Sequence, residues 1–275
     1  MILGIDFGAS TTDAVLFRGK KVLKRASSDR KLGSTRALEH FLKRKGLASK
    51  EIKQVALTGG KSALFKGKVL DLKPVHVNEI NAIGFGGAFL AGKKRCLVVS
   101  MGTGTCIVCF DREKASHVAG TSLGGGTIVG LSKRLVGEDN PKSLETLASK
   151  GSTKGINLTV EEIVGKGIGI IPGKASASYF AKSGKASRAD LALAVQNMVA
   201  ETNAVIAGLA AKSSKQKSLV FVGKAASYPA VRAAIKRVLG YYGFAATFPK
   251  RGEFATAAGA ACFSVKGEPK SLNKK

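Results

Sequence analysis

Two loops rich in glycine and hydroxyl residues constrain this chain most, because each lies between two short apolar segments. GIDFGASTTD runs from Gly4 to Asp13, and SMGTGTCIVCFD runs from Ser100 to Asp111. Glycine lets a backbone approach a ligand closely, hydroxyl groups reach oxygen atoms, and an aspartate holds a metal ion. An apolar strand follows each loop directly, so both are predicted to be hairpins. The pair predicts phosphate binding at two places in one fold.

Two common nucleotide motifs do not fit these segments. A Rossmann dinucleotide site is disfavoured, because its glycines open a helix instead of a second strand. The segment VALTGGKS at 55–62 ends like a Walker A loop, but Val55 stands where the first glycine of that motif belongs.

The order of predicted elements repeats along the chain, which favours a two-lobed α/β protein with its ligand between the lobes. The predicted lobes are residues 1–92 and 93–265, followed by a basic tail at 266–275. In the first lobe we predict a hairpin at 2–17, strands at 21–24 and 54–58, and helices at 34–44 and 78–91. In the second we predict a hairpin from 95, a helix after VAGTSLGGGT, helices at 188–212, 228–239 and 254–263, and strands at 218–222 and 245–248.

Composition indicates a soluble globular protein of 275 residues, 44% of them hydrophobic. No apolar run approaches the ~18 residues of a membrane span, and no leader-like segment precedes the first strand, so we expect a cytoplasmic protein without a membrane partner. Four cysteines are too few for a disulfide framework. Cys106 and Cys109 lie three apart on a predicted strand, on opposite faces, so burial is favoured over a shared ion.

The net charge of +27 would attract any polyanion. The basic residues are spread along the whole length, Trp is absent and aromatic content is 6%. Neither an aromatic stacking platform nor a known DNA-reading motif is visible. We expect loose, salt-sensitive binding to nucleic acid and no specific nucleic-acid partner.

A longer series of segments resembles the type II pantothenate kinase family, within the actin-like and sugar-kinase superfamily. These segments, in chain order, are DFGAST, LTGG, VNEINA, SMGTGT, HVAGTSLGGGT, IPGKASASYF, FVG and RGEFATAAGA. They extend from Ile2 to about Cys262. The resemblance implies an actin-like (ribonuclease H-like) fold with duplicated ββ(β)αβα lobes. It also implies an ATP- and Mg²⁺-dependent kinase, generally a homodimer, that phosphorylates the primary hydroxyl of pantothenate or pantetheine in the first step of coenzyme A biosynthesis.

The resemblance also implies roles for individual residues. Asp6 would be the carboxylate near Mg²⁺ and the γ-phosphate, and Glu79 the general base that accepts the proton of the acceptor hydroxyl. In the sequence alone, Glu79 could instead be an acidic residue in the first turn of a helix that Asn78 caps, where it would stabilise the helix dipole. The other expected nucleotide-binding residues are Gly8, Ser10, Thr11, Gly102, Thr103, Gly104, Thr105, Gly125, Gly126, Gly223 and Gly252. The acceptor would contact Glu79, His117, Gly120 and Thr121.

Four residues depart from the family pattern. Asp13 stands where these kinases usually have lysine, His117 where they have arginine, and Lys174 where they have aspartate. Lys224 follows a glycine where the superfamily often has a second one. These departures leave other functions open: an N-acetylhexosamine-type kinase, a dehydratase-activating ATPase of the same fold, or a binding protein without turnover.

Overall fold

The computed structural model describes residues 1–19, 21–29 and 32–266. The predicted basic tail therefore lies, apart from Lys266, outside the described residues. The first part of the chain forms β1 (Ile2–Phe7), β2 (Thr12–Arg18), β3 (Lys21–Ser28), α1 (Thr35–Arg44), β4 (Gln54–Thr58), β5 (Val75–His76) and α2 (Glu79–Ala91). The rest forms β6 (Arg95–Met101), β7 (Thr105–Asp111), β8 (Lys114–Thr121), α3 (Gly125–Val136), α4 (Pro141–Ala148), β9 (Leu158–Thr159), α5 (Val160–Val164), β10 (Ser176–Ser178), α6 (Arg188–Ser213), β11 (Leu219–Val222), α7 (Pro229–Tyr241), β12 (Ala246–Thr247) and α8 (Ala255–Lys266).

The strands form two five-stranded sheets built on one plan. The first sheet has the order β3-β2-β1-β4-β5, and the second, read from the opposite edge, has the matching order β8-β7-β6-β11-β12. In each sheet the first three strands are antiparallel neighbours and the others pair in parallel. The repeated plan inferred from the sequence is thus present, and both glycine-threonine loops are hairpin turns.

Strand alternation gives each sheet an outer and an inner face. Leu3, Ile5 and Phe7 of β1 pack with α1 on the outer face of the first sheet. Leu97 and Val99 of β6 pack with α6 and α7 on the outer face of the second. Helices α2 and α8 fill the space between the two inner faces, with a shared core that draws on both sheets.

Glycines let α2 and α8 approach until their backbones touch. A Cβ placed on Gly86 of α2 would overlap the carbonyl oxygen of Ala255, and one on Gly259 of α8 would overlap that of Ala82. In β1, a Cβ on Gly4 would overlap the carbonyl oxygen of Ala257. Helix α8, the last in the described chain, therefore lies directly on the first strand, while α2 packs on the second sheet.

The sequence did not predict several short elements, namely β5, α4, α5, β9 and β10. Strands of two or three residues and a five-residue helix carry too little periodicity to be recognised. Helix α6 packs within the chain on α3, α4 and α7. Among the described residues, no helix combines the length and apolar character needed to cross a membrane.

Adding a methyl group at the helix crossing should destabilise the fold. We expect Gly86→Ala and Gly259→Ala each to lower the free energy of unfolding by about 3 kcal/mol or more, because the new carbon meets backbone that cannot rotate away. Urea unfolding followed by circular dichroism measures this loss.

Gly240→Ala is the matched control, since Gly240 is also helical and a Cβ there meets no atom within 4 Å. We expect that variant to be unchanged or more stable by up to about 1 kcal/mol. Equal stability of all three variants would contradict the proposed backbone contact.

Candidate active site

A row of polar side chains crosses the inner face of the first sheet beside the first loop. Asp6 on β1 is the direct register partner of Asp13 on β2 and of Thr58 on β4, and Asp13 is in turn the partner of Ser27 on β3. Direct partners in neighbouring strands project their side chains on the same side. The row therefore brings two carboxyl groups together at the base of the loop that contains Gly8, Ser10 and Thr11.

This arrangement makes Asp6 difficult to ionise. Burial, followed by the nearby carboxylates of Asp13 and Glu79, raises the pKa of Asp6 from 3.8 to about 7, while the ammonium of Lys224 acts to lower it. The side chain also lies against the backbone of Gly59, where a Cβ would come within 2.5 Å of Asp6 Oδ1. Gly59 has φ +89°, a conformation suited to glycine.

A lysine from the second sheet reaches this row. Lys224 follows β11, and its Nζ lies 3.1 Å from Asp13 Oδ1. The same ammonium donates hydrogen bonds to Thr11 Oγ1 at 2.6 Å and to Ser27 Oγ at 3.0 Å. Burial raises the pKa of Asp13, whereas Lys224 and the Ser27 hydroxyl act to lower it.

The second loop is held by the start of α3. The amide of Gly125 donates to the Gly102 carbonyl at 2.7 Å, and that of Gly126 donates to the Thr103 carbonyl at 3.0 Å. A Cβ on Gly124 would come within 2.5 Å of the Thr103 carbonyl oxygen, which explains why glycines occupy this segment. The amides of Gly125 and Gly126 are therefore already bonded to the loop and are not free to bind phosphate oxygens.

Two of the hydroxyl groups expected near ligands are instead part of an internal network. Thr105 Oγ1 donates to the Leu123 carbonyl at 2.8 Å, and Thr121 Oγ1 lies 2.7 Å from Asn203 Oδ1. Asn203 is fully buried in α6 and donates its own amide to the Leu123 carbonyl at 2.9 Å. These contacts fix the shape of the second loop, and Gly102 and Thr103 are the exposed part of it. Nothing in the sequence pattern distinguished Asn203 from other helix residues.

Gly223 and Gly252, two of the expected nucleotide-binding residues, are neighbours in the structure. The amide of Gly223 donates to the Gly252 carbonyl at 3.0 Å. Gly223 has φ +92°, and a Cβ there would approach the Met101 carbonyl oxygen within 2.5 Å. Together they form a close-packed backbone wall at the end of β11, next to the start of the second loop.

Glu79 is the first residue of α2 and borders an open cavity. The cap residue Asn78 accepts a hydrogen bond from the Ile80 amide at 2.9 Å, so the helix-capping role expected from the sequence is present. Gly59, which lies against the Asp6 side chain, lines the same cavity as Glu79. The cavity has a volume of about 650 Å³. Its lining residues are Gly59, Gly60, Ser62, Ala63, Phe65, Lys66, His76, Val77, Asn78 and Glu79.

Helix α2, which begins at Glu79, packs on β6, β7 and β8 of the second sheet. Burial and then the Glu79 carboxylate raise the pKa of Cys106 to about 11, and Cys106 is the register partner of Gly120. His117 is exposed on β8, and its Nε2 lies 3.6 Å from the position of a Cβ on Gly120. Lys174 is exposed in a separate part of the second half, where the neighbouring Gly173 carbonyl accepts from the Glu161 amide at 2.8 Å.

The C-x-x-C pair is divided between two cores. Cys106 packs in the core that contains α2, and Cys109 packs in the core that contains α6. Gln216 Nε2 lies 3.4 Å from Cys109 Sγ. The opposite orientation inferred from the strand pattern is confirmed, and these two thiols cannot face one ion.

Comparison with known proteins places the chain in a family. A family model described as Fumble matches residues 92–262. A type II pantothenate kinase of Bacillus cereus (strain G9842) is 28% identical over 234 residues, which cover 80% of this chain and 82% of the relative. A type II pantothenate kinase of Oceanobacillus iheyensis is 31% identical over 179 residues, covering 61% of this chain and 65% of the relative.

Solved structures show the same fold at low sequence identity. The activator of 2-hydroxyisocaproyl-CoA dehydratase from Clostridium difficile, with bound ADPNP, has a TM-score of 0.67 at 15% identity and covers 99% of both chains. A ROK family glucokinase from Streptomyces griseus, in complex with glucose and AMPPNP, has a TM-score of 0.59 at 14% identity, covering 97% of this chain and 99% of the other. The predicted two-lobed, actin-like α/β fold is confirmed. The chain belongs to the Fumble family, in agreement with its sequence resemblance to the type II pantothenate kinases.

Proposed function

We propose that this protein is an ATP-dependent kinase that phosphorylates the primary hydroxyl of pantothenate, the first step of coenzyme A biosynthesis. The observation that carries the proposal is the position of Glu79, which borders an open cavity together with Gly59, the residue that lies against Asp6 at the first loop. Phosphoryl transfer needs an acceptor site, a base and a phosphate site in that order. The names of the relatives supply the acceptor class.

Nucleotide phosphates would lie between the two hairpin loops, with adenosine against the wall made by Gly223 and Gly252. Asp6 has the right chemistry for Mg²⁺, which prefers carboxylate, phosphate and water oxygens and rarely takes an all-protein cage. The crowding of Asp6, Asp13 and Glu79 concentrates negative charge that a cation would relieve. When bound, Mg²⁺ would neutralise charge on the transferring phosphoryl group.

The protein's own residues would position the acceptor and move its proton. Glu79 would accept the proton of the acceptor hydroxyl as that oxygen attacks the γ-phosphorus in line. Gly59 leaves Asp6 close to the cavity wall, because any larger residue would displace its carboxylate. The remainder of the acceptor would extend into the cavity, where Lys66 and His76 supply basic groups suited to a carboxylate. Gly120 and His117 would border the hydroxyl from β8.

We propose a cytoplasmic homodimer. Cys96, Cys106 and Cys109 are free thiols, which suits a reducing compartment. Five apolar side chains are exposed within one short segment: Ile163, Val164, Ile168, Ile170 and Ile171. An apolar patch of this kind usually marks a protein interface, and a second copy is the partner that the family resemblance favours.

Replacing the base should abolish turnover and leave nucleotide binding intact. We expect Glu79→Gln to lower kcat by about 10²- to 10⁴-fold, because the amide cannot accept the hydroxyl proton. Phosphopantothenate formation measures kcat, and titration calorimetry measures the Kd for Mg-ATP, which should stay within threefold.

Glu51→Gln is the matched control, since Glu51 pairs with the exposed Arg18 beside the opposite end of β4. Full activity of Glu79→Gln would contradict the assignment of the base. If the wild type binds Mg-ATP but forms no phosphorylated product from pantothenate, pantetheine or N-acetylglucosamine, the kinase proposal is wrong.

Lys66 should bind the carboxylate of the acceptor. We expect Lys66→Met to raise KM for pantothenate about tenfold, roughly 1.4 kcal/mol, and to leave KM for the uncharged pantetheine unchanged. Lys68→Met is the control, because Lys68 lies two residues away and outside the cavity lining. Equal changes for both acceptors would show that Lys66 does not bind the carboxylate.

The raised pKa of Asp6 should appear in the pH dependence of stability. Between about pH 4 and 7 the unfolded chain releases this proton while the folded protein retains it. The wild type therefore loses stability as pH rises through that window, and Asn, which does not ionise, escapes the loss. We expect Asp6→Asn to match the wild type near pH 4 and to exceed it by about 4 kcal/mol at pH 8, because the pKa of Asp6 is raised from 3.8 to about 7 and each pKa unit corresponds to about 1.4 kcal/mol.

Urea unfolding at a series of pH values, without metal or nucleotide, measures this difference. Asp29→Asn, at an exposed position, serves as the control. If wild type and Asp6→Asn differ by the same amount at every pH, Asp6 has its ordinary pKa in the folded protein.

A further inference from the structure

Lys224 makes a cluster of polar contacts between the two sheets. It follows β11 of the second sheet, yet its ammonium contacts three groups of the first: Asp13 Oδ1 at 3.1 Å, Thr11 Oγ1 at 2.6 Å and Ser27 Oγ at 3.0 Å. Two donors of this ammonium bond to the hydroxyls of Thr11 and Ser27, and its contact with Asp13 Oδ1 is an ion pair. The side chain of Asp13 is 9% exposed and that of Lys224 is 40% exposed.

Asp13 is difficult to accommodate without this lysine. Its direct cross-strand partner is Asp6, and like charges in that position repel. A buried carboxylate without a cation costs several kcal/mol or becomes protonated. Burial does raise the pKa of Asp13, and Lys224 is the first of the groups that oppose the shift. Lys224 is therefore the counter-ion that lets Asp13 carry its charge.

The location makes this pair relevant to nucleotide binding. Thr11 closes the first loop, and Gly223, which precedes Lys224, belongs to the wall beside the second loop. Any group that lies between the loops is close to both ends of the contact. An uncompensated Asp13 would repel a triphosphate, since both are anionic.

We propose that Lys224 is a positioning residue of the nucleotide site: it acts through Asp13, neutralising that carboxylate from the opposite sheet so that the first loop accepts the phosphates of ATP. This inference rests on the proposed function only for the identity of the nucleotide. The two charged residues form one functional unit, although 211 positions separate them in the sequence. The hydroxyls of Thr11 and Ser27 orient the ammonium within that unit.

The test is the affinity for Mg-ATP, measured by titration calorimetry in the absence of acceptor. We expect Lys224→Met to raise Kd at least tenfold, because it leaves Asp13 uncompensated beside the phosphates. The double variant Asp13→Asn/Lys224→Met should return Kd to within about threefold of the wild type, since the repelling charge is gone. Lys224→Arg keeps the charge and should also bind within threefold.

Steady-state kinetics separate this role from a general structural one. KM for ATP should rise in Lys224→Met while KM for the acceptor stays within threefold. Lys133→Met is the matched control, because it removes an ion pair with Asp139 that is exposed on the second half of the chain. That control should match the wild type in both KM values.

Each other result contradicts the proposal. A Lys224→Met protein with unchanged Kd would show that Asp13 does not repel the phosphates when Lys224 is absent, and a double variant as weak as Lys224→Met would show that Lys224 acts without Asp13. If Lys224→Met does not fold, as judged by circular dichroism, the double variant and Lys224→Arg decide the question in the same way. Failure of the kinase proposal is distinct, because it appears as absent phosphorylation with Mg-ATP binding intact in the wild type.

Discussion

The contact between α2 and α8 determines how the two sheets face each other. Because Gly86 and Gly259 leave no side chain at the crossing, the two helix backbones touch in the space between the inner faces. Gly4 extends the same contact to β1. Helix α8, the last in the described chain, thus packs on the first strand. The packing between the two sheets therefore needs both ends of the described chain.

The two halves repeat a topology but not a chemistry. At corresponding register positions the first sheet has Asp6 and Asp13, whereas the second has Ser100 and Cys106. The first half therefore concentrates negative charge at its loop. The second offers exposed Gly102 and Thr103, whose carbonyls accept hydrogen bonds from the amides of Gly125 and Gly126. A bound metal-nucleotide complex would have a carboxylate on one side and neutral backbone on the other. The carboxylate suits the cation, and the backbone suits the phosphate oxygens.

Much of this fold can be predicted from local sequence patterns. The hairpins, the long helices and strand β4 follow from apolar periodicity and from glycine loops, and β4 matches its predicted range of 54–58. The hydrogen-bond partners of individual side chains could not be predicted in this way. Thr105 and Thr121 have the composition of ligand contacts, but their hydroxyls bind Leu123 and Asn203 because α6 and α3 pack behind the loop. Tertiary neighbours decide whether a hydroxyl is free, and no local pattern records them.

Asp13 and Lys224 show the same limit more sharply. Considered singly, an aspartate in a phosphate loop weakens the case for ATP binding, and a lysine after Gly223 looks like a surface residue. In the fold they are 3.1 Å apart, and the negative charge that one adds to the first loop is cancelled by the other from the second sheet. The local net charge at the first loop is thus the sum over both residues. A departure at one position is therefore evidence about function only after the residues that touch it in the fold are known.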